Sequence, residues 1–331
     1  MSRASSTWSE VLLRSLGLLL IAGAVGLGLM RAPDRPAETL VARWAPAPSD
    51  FIAVHGQVVH LRDEGPREDP EPVVLLHGTS SSLHTWEGWA RVLSAQRRVI
   101  TLDLPGFGLT GPFTDEAETR YGQDDYRGDT LARFVWDVLD QMKVQKAVVG
   151  GNSLGGEVAW RMAAMAPQRV SRLILVDASG PMFEPESIPL GFQLARVPVL
   201  NRVGDYILPR GVVRQGLEST WGDPSKVTDA LVDRYYELTL REGNRRALTL
   251  RATQLERGVH VDRLNTLTMP TLILWGERDR LIPPAVALEF ERRIAGSQRV
   301  VLPGLGHLPQ EEDAAASVAV VQRFLGLAGS P

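Results

Sequence analysis

The segment Gly151-Asn152-Ser153-Leu154-Gly155-Gly156 sets a serine among glycines, between the apolar run KAVV and a helix-forming stretch. A strand that turns at once into a helix holds such a serine on a strained corner. Its hydroxyl is then pushed out at the positive end of the helix dipole. That is a setting for a nucleophile, yet a serine hydroxyl attacks only when a base takes its proton. The chain has six histidines. His307, in LPGLGHLPQEED, follows the last apolar run on a Gly-rich loop able to reach back over a sheet. His55 and His60 fall in an N-terminal hairpin, where solvated or packed roles fit better. His84 opens a helix and His260 lies in a long insertion. The base in turn needs a carboxylate to fix its tautomer and stabilise its charged form. Asp279, in WGERDRLIP, follows the run adjacent to the one leading to His307. It is favoured over Asp177 in ILVDAS, whose other reading is a strand-end cap, and over Glu277, which bounds the turn. Acyl transfer also needs N–H donors for a tetrahedral oxyanion. The backbone of Leu154 supplies one. Thr79, in HGTSSS, is the expected second, with Ser80 as the substitute if the loop turns one residue later. His77 and Gly78 shape that loop.

These residues stand at the ends of apolar runs that alternate with helical patterns. FIAVHG and QVVHLRD read as a hairpin with a His-Gly turn. PVVLLHG, RRVITLDLPG, KAVVGG, RLILVDAS, TLILWGERD and RVVLPG read as buried strands. Between them lie helical stretches near residues 83–95, 129–142 (with Asp129 as the expected N-cap), 154–166, 284–294 and 311–324. Alternating strand and helix implies an α/β fold: a mostly parallel sheet with helices on both faces. In such sheets the chemistry gathers at the carboxyl ends of the strands.

Four segments are expected. Residues 1–30 contain the run Val11–Met30, in which Arg14 is the one charge, and about 20 apolar residues span a bilayer. This predicts a single-pass membrane anchor, its orientation undecided because arginines flank both sides. A cleaved signal peptide is the alternative, with Ala22-Gly23-Ala24 as its small-residue site. Residues 31–50 carry four prolines and read as a tether. Residues 51–180 and 264–331 form the core. Residues 181–263 interrupt the alternation and are too long for a simple connection. Their charges nearly balance, and the stretch 188–208 is rich in apolar residues.

A net charge of −3 offers no basic excess for phosphates, so no nucleic-acid partner is expected. With zero cysteines the chain can have no disulfide, no thiolate metal site and no Cys nucleophile. The scattered histidines form no metal motif, and GNSLGG lacks the lysine of a phosphate loop.

Together His77-Gly78, Asp103-Leu-Pro-Gly-Phe-Gly108, the Ser153 segment, Trp275-Gly-Glu-Arg-Asp279 and Gly306-His307 resemble the α/β-hydrolase superfamily, in its lid-bearing branch. The resemblance runs from about Phe51 to the C-terminus. It implies a central eight-stranded sheet, an inserted helical lid over residues 181–263, a Ser153-Asp279-His307 triad and no cofactor. It also implies that Asp103 supports the loop beside the site. Dehalogenases and epoxide hydrolases of this pattern place Asp where Ser153 stands, and many ring-cleavage hydrolases carry a Gly-Pro-Gly-type run where this chain has Thr79-Ser80-Ser81-Ser82. A carboxylesterase acting on small apolar esters is the expectation that remains. A C–C bond hydrolase or acyltransferase on the same triad, and a ligand-binding receptor on the same fold, are the alternatives.

Overall fold

The computed structural model describes residues 4–29, 31–195 and 206–327. Its strands are β1 (Ser49–Val54), β2 (Gln57–Glu64), β3 (Val73–Leu76), β4 (Val99–Leu102), β5 (Ala147–Asn152), β6 (Val170–Val176), β7 (Thr271–Gly276) and β8 (Gln298–Leu302). They form one eight-stranded sheet in the order β1-β2-β4-β3-β5-β6-β7-β8. The sheet is mixed. β1 and β2 run antiparallel to each other, β2 is antiparallel to β4, and from β4 to β8 all neighbours are parallel. The β1–β2 hairpin turns on His55 and Gly56, at φ 46° and 77°, as a two-residue turn matched to strand twist requires.

The parallel strands are apolar at nearly every position because both faces are covered. Their side chains alternate. Val74, Leu76, Val149 and Leu175 join the core under helices Gly128–Gln141, Leu154–Met165 and Ala285–Arg293. Val73, Leu75, Val148 and Ile174 face Trp86, Trp89 and the helix Ala314–Leu325 on the other side. This is the expected α/β architecture.

Three expectations change. Asp129 is not an N-cap, because the helix begins at Gly128 with Arg127 in the cap position. Asp129 instead receives Arg161 and Arg263 at 2.9 and 3.0 Å. The segment read as a tether is docked. Leu40, Val41 and Trp44 share one face of helix Ala37–Trp44 and pack with Leu109 and Leu238. Arg43 and Trp44 both reach Glu237, at 2.6 and 2.8 Å. The amide of Arg35 donates to Leu240 O and its carbonyl accepts from Glu242 N. Finally, among the described residues no helix is long and apolar enough to cross a membrane. The single-pass anchor and membrane localisation expected from residues 1–30 are corrected accordingly. Helix Ala4–Leu29 includes Glu10, Arg14 and Ser15, and its glycines add no apolar side chain. Met30 lies outside the described residues.

Between β6 and β7 the inserted segment carries helices Leu190–Ala195, Arg210–Thr220, Asp229–Thr239 and Asn244–Thr253. Of the apolar stretch 188–208, residues 196–205 lie outside the described residues. Leu217, Trp221, Val232 and Tyr235 pack with Leu308, one residue beyond His307, so the insertion sits over the carboxyl ends of the strands.

Candidate active site

β5 ends at Asn152 and helix Leu154–Met165 starts two residues later, with Ser153 on the corner at φ 55° and ψ −115°. That backbone region is sparsely populated and costs on the order of 1–3 kcal/mol, so the surroundings must impose it. They do. A Cβ on Gly151 would lie 2.2 Å from the carbonyl carbon of Gly155, and one on Gly155 would lie 2.0 Å from Leu76 O. The Ser153 amide donates to Val176 O and its carbonyl accepts from Ser179 N, both at 3.0 Å. The corner is therefore tied to β6.

The loop after β3 runs alongside. A Cβ on Gly78 would lie 3.1 Å from Ser153 Cβ. Thr79 sits inside the turn closed by Ser81 N–H to Gly78 O. Leu154 is the first residue of its helix, where amides have no intrahelical acceptor. His77 shapes this loop, as expected. Its Nε2 accepts from Leu104 N at 2.9 Å, which leaves Nδ1–H to donate to Gly78 O at 2.7 Å. That is the neutral tautomer, and burial holds the His77 pKa down. Asp103 accepts from Leu83 N at 2.7 Å and Leu109 N at 2.8 Å, and meets His60 Nδ1 at 2.7 Å. Burial alone would raise its pKa, but His60 beside it holds it well below the carboxylate range. Asp103 thus braces two loops, and His60 is its packed partner.

β7 and β8 deliver the other two residues. Asp279 Oδ1 accepts from Leu281 N and Ile282 N at 2.8 and 2.9 Å, and Oδ2 lies 2.7 Å from His307 Nδ1. The carboxylate fixes Nδ1 as the protonated nitrogen and leaves Nε2 as the acceptor. The His307 carbonyl accepts from Asn152 Nδ2 at 3.0 Å, and its amide donates to Thr220 O at 2.7 Å. Glu277 accepts from Gly304 N and so bounds the turn. Asp177 accepts from Gly276 N at 3.0 Å. Burial and the Asp279 charge raise its pKa well above the ordinary range. Among the described residues, Asp177, Asp279 and His307 form the one grouping of metal-ligating types, in which both Asp279 oxygens and Asp177 Oδ1 are engaged by backbone amides or the imidazole.

Ser153, Thr79, His307 and the side chains of the insertion line one cavity of about 280 Å³. Its walls are largely apolar, with Phe183, Ile188, Phe192, Val212, Leu217 and Leu248 among them. Three arginines also reach it. Arg251 pairs with Glu157 at 2.7 Å, Arg245 with Asp34, and the Arg257 guanidinium lies 4.7 Å from the Phe183 ring centroid. Sequence reasoning missed Asn152, Thr220 and Glu312. The Glu312 carboxylate accepts from Gly222 N, Asp223 N and Gly306 N at 3.0, 2.8 and 2.8 Å. Nothing in their spacing marks these partners.

With this geometry in place, a family model described as the alpha/beta hydrolase fold matches residues 71–314. The chain belongs to the α/β-hydrolase family. An uncharacterised protein of Mycobacterium tuberculosis is 29% identical over 299 residues, covering 85% of this chain and 82% of the relative. A 2-hydroxy-6-oxononadienedioate/2-hydroxy-6-oxononatrienedioate hydrolase of Cupriavidus pinatubonensis is 28% identical over 281 residues, covering 81% and 90%. A meta-cleavage product hydrolase of Pseudomonas fluorescens superposes with a TM-score of 0.69 at 27% identity, covering 84% of this chain and 97% of that one. The α/β hydrolase described here shares the fold of that solved structure over 84% of its length.

Proposed function

We propose that this α/β hydrolase is a carboxylesterase acting on uncharged short-to-medium acyl esters, with Ser153 as nucleophile, His307 as base and Asp279 as its carboxylate partner. Residues 51–180 and 264–331 would act as the core and 181–263 as the lid. The observation that carries the reading is the 2.7 Å contact of His307 Nδ1 with Asp279 Oδ2, on the wall of the cavity that also holds the strained Ser153. In this reading Ser153 Oγ attacks the ester carbonyl as His307 Nε2 takes its proton. The amides of Leu154 and Thr79 receive the developing oxyanion, where such donors are worth about 3–4 kcal/mol each. The imidazolium then returns the proton to the departing alkoxide. Water repeats the cycle on the acyl-enzyme and releases the acid.

Three features support an ester over a charged substrate. The cavity walls are largely apolar. Each of the three arginines has a partner within the protein. The loop after His77 is a run of small hydroxyl residues. A second reading, C–C bond hydrolysis on the same residues, is favoured by the similarity to the 2-hydroxy-6-oxononadienedioate hydrolase and the meta-cleavage product hydrolase. One experiment separates them. The purified chain is assayed with p-nitrophenyl esters and with a 2-hydroxy-6-oxo-dienoate, then treated with an organophosphonate and mapped by mass spectrometry. Ester turnover with label on Ser153 is expected. Turnover of the dienoate alone would select the second reading, and label on another residue would remove Ser153.

A further inference from the structure

Asp177 closes β6 beside the proposed acid and base, and its side chain is fully buried. One oxygen, Oδ1, accepts from Gly276 N. The other, Oδ2, is buried and meets no N–H or O–H donor. Yet one ligating atom from each of Asp177, Asp279 and His307 lies within 4.8 Å of the others. The neighbouring charges, Asp279 and Glu312, have the same sign as an ionised Asp177 would have. As a carboxylate, Oδ2 would be a buried acceptor with no protein donor, beside the like charge of Asp279. Two buried carboxyls within 4.8 Å of each other, one of them lacking a donor, do not both ionise. Asp279 has two backbone amides and an imidazole N–H to stabilise its charge, whereas Asp177 has one amide. The proton therefore stays on Asp177, where an O–H becomes a donor.

We infer that Asp177 works as a neutral carboxylic acid whose Oδ2–H donates to Asp279, holding that carboxylate in place beneath His307. The inference rests on the reading of Asp279 and His307 as the acid–base pair. It makes Asp177 a positioning residue that acts through Asp279 and touches no substrate. The raised pKa of Asp177, caused first by burial and then by the Asp279 charge, agrees with the geometry. The backbone supports a specific test. Asp177 has φ 44°, a region that Asn also tolerates. In Asp177→Asn the amide oxygen can keep the Gly276 bond while the NH₂ replaces the acid's O–H toward Asp279.

The full chain is compared with D177N, D177A and D279N in ester kinetics, in pH profiles of kcat/KM and in infrared difference spectra at neutral pH. D177N should keep kcat within about threefold and leave the pH profile in place, because the donated hydrogen bond is preserved. D177A should lower kcat by about tenfold or more at nearly constant KM, and displace the profile. The parent-minus-D177N spectrum should show the carbonyl band of a protonated carboxylic acid. Absence of that band, or a loss of kcat in D177N of more than about tenfold, would mean that Asp177 is ionised and would overturn the inference. If the parent turns over no ester, the functional reading fails, and the infrared band still decides the state of Asp177.

Discussion

The amide of His307 donates to the carbonyl of Thr220 at 2.7 Å. The residue read as the base is thus hydrogen-bonded through its backbone to the inserted segment. A Cβ on Gly306 would lie 2.3 Å from that same Thr220 carbonyl, so the two loops touch backbone to backbone. Glu312 completes the junction by accepting amides from both sides, Gly222 and Asp223 on one and Gly306 on the other. Inserted segment and base loop are built as one piece.

Glu312→Ala leaves three amides at that junction without their acceptor. Each buried donor left unpaired costs about 1–3 kcal/mol. Urea unfolding should show a loss of roughly 2–4 kcal/mol after partial rescue by water. Below the transition, kcat should fall while KM changes little, because the proposed base is displaced and the cavity is not. Glu312→Gln keeps one acceptor oxygen and should fall between. A parent-like kcat in the alanine variant would disconnect this junction from the base.

Ser153→Ala and His307→Ala should each lower kcat by on the order of 10⁴–10⁶, and the double variant by little more, because the proposed mechanism makes the two act as a unit. Additive losses in the double variant would show that they do not share a step.

How far the sequence could be read follows from this. Strand ends were legible because buried parallel strands are continuous apolar runs, and the residue after each run is by geometry at the face where ligands bind. Ser153, Asp279 and His307 are singled out that way; the structure pairs Asp279 with His307 and sets His307 and Ser153 on one cavity, while His77 is spent on hydrogen bonds within its own loops. Partners supplied by backbone atoms left no trace. Thr220 contributes a carbonyl that any residue has, and Glu312 meets Gly222 across 90 positions. Asp129 misled because an acid at a helix start looks like a cap, while its partners, Arg161 and Arg263, come from other elements. The prolines of residues 31–50 read as a tether because Leu40, Val41 and Trp44 have no visible partner until the insertion folds over them. The apolar run Val11–Met30 read as an anchor on length and composition alone.

His84 gives the stability a pH dependence. Its Nε2 lies 2.7 Å from Trp44 O and its Nδ1 lies 3.0 Å from Ser82 Oγ. A carbonyl only accepts, so Nε2 carries a hydrogen, and burial disfavours a second proton on Nδ1. Burial holds its pKa down to about 4 from 6.5 against the pull of Asp103 and Glu87, with Arg234 and Arg62 adding to the depression. The unfolded chain therefore takes a proton near pH 6.5 that the folded chain refuses until about pH 4. The stabilisation is fully present above pH 6.5 and declines as pH falls toward 4. Melting temperatures across that window should drop in the parent. They should drop less steeply in His84→Gln, which can still donate to Trp44 O, although His77, shifted the same way, keeps part of the slope. Equal slopes in parent and variant would remove His84 from the account.

Substrate preference follows from what the cavity offers and what it has already used. Phe183, Phe192, Val212 and Leu217 give apolar wall on several sides of Ser153. Each methylene added to an acyl chain should gain at most about 0.8 kcal/mol, or roughly fourfold in kcat/KM, until the space is filled. A cavity of about 280 Å³ is small for a long chain, so the series should rise from acetyl to a short or medium acyl group and then fall. A terminal carboxylate would need a cation to offset its desolvation. Arg251 is held by Glu157, Arg245 by Asp34, and Arg257 is stacked on Phe183. A dicarboxylic half-ester should therefore be cleaved more slowly than the apolar ester of equal length. The comparison is a chain-length series of p-nitrophenyl esters with the half-ester alongside. Preference for the half-ester would mean that one guanidinium trades its internal partner for substrate. Repeating the pair of assays in Arg245→Gln, Arg251→Gln and Arg257→Gln would then show which one, by which variant loses the preference.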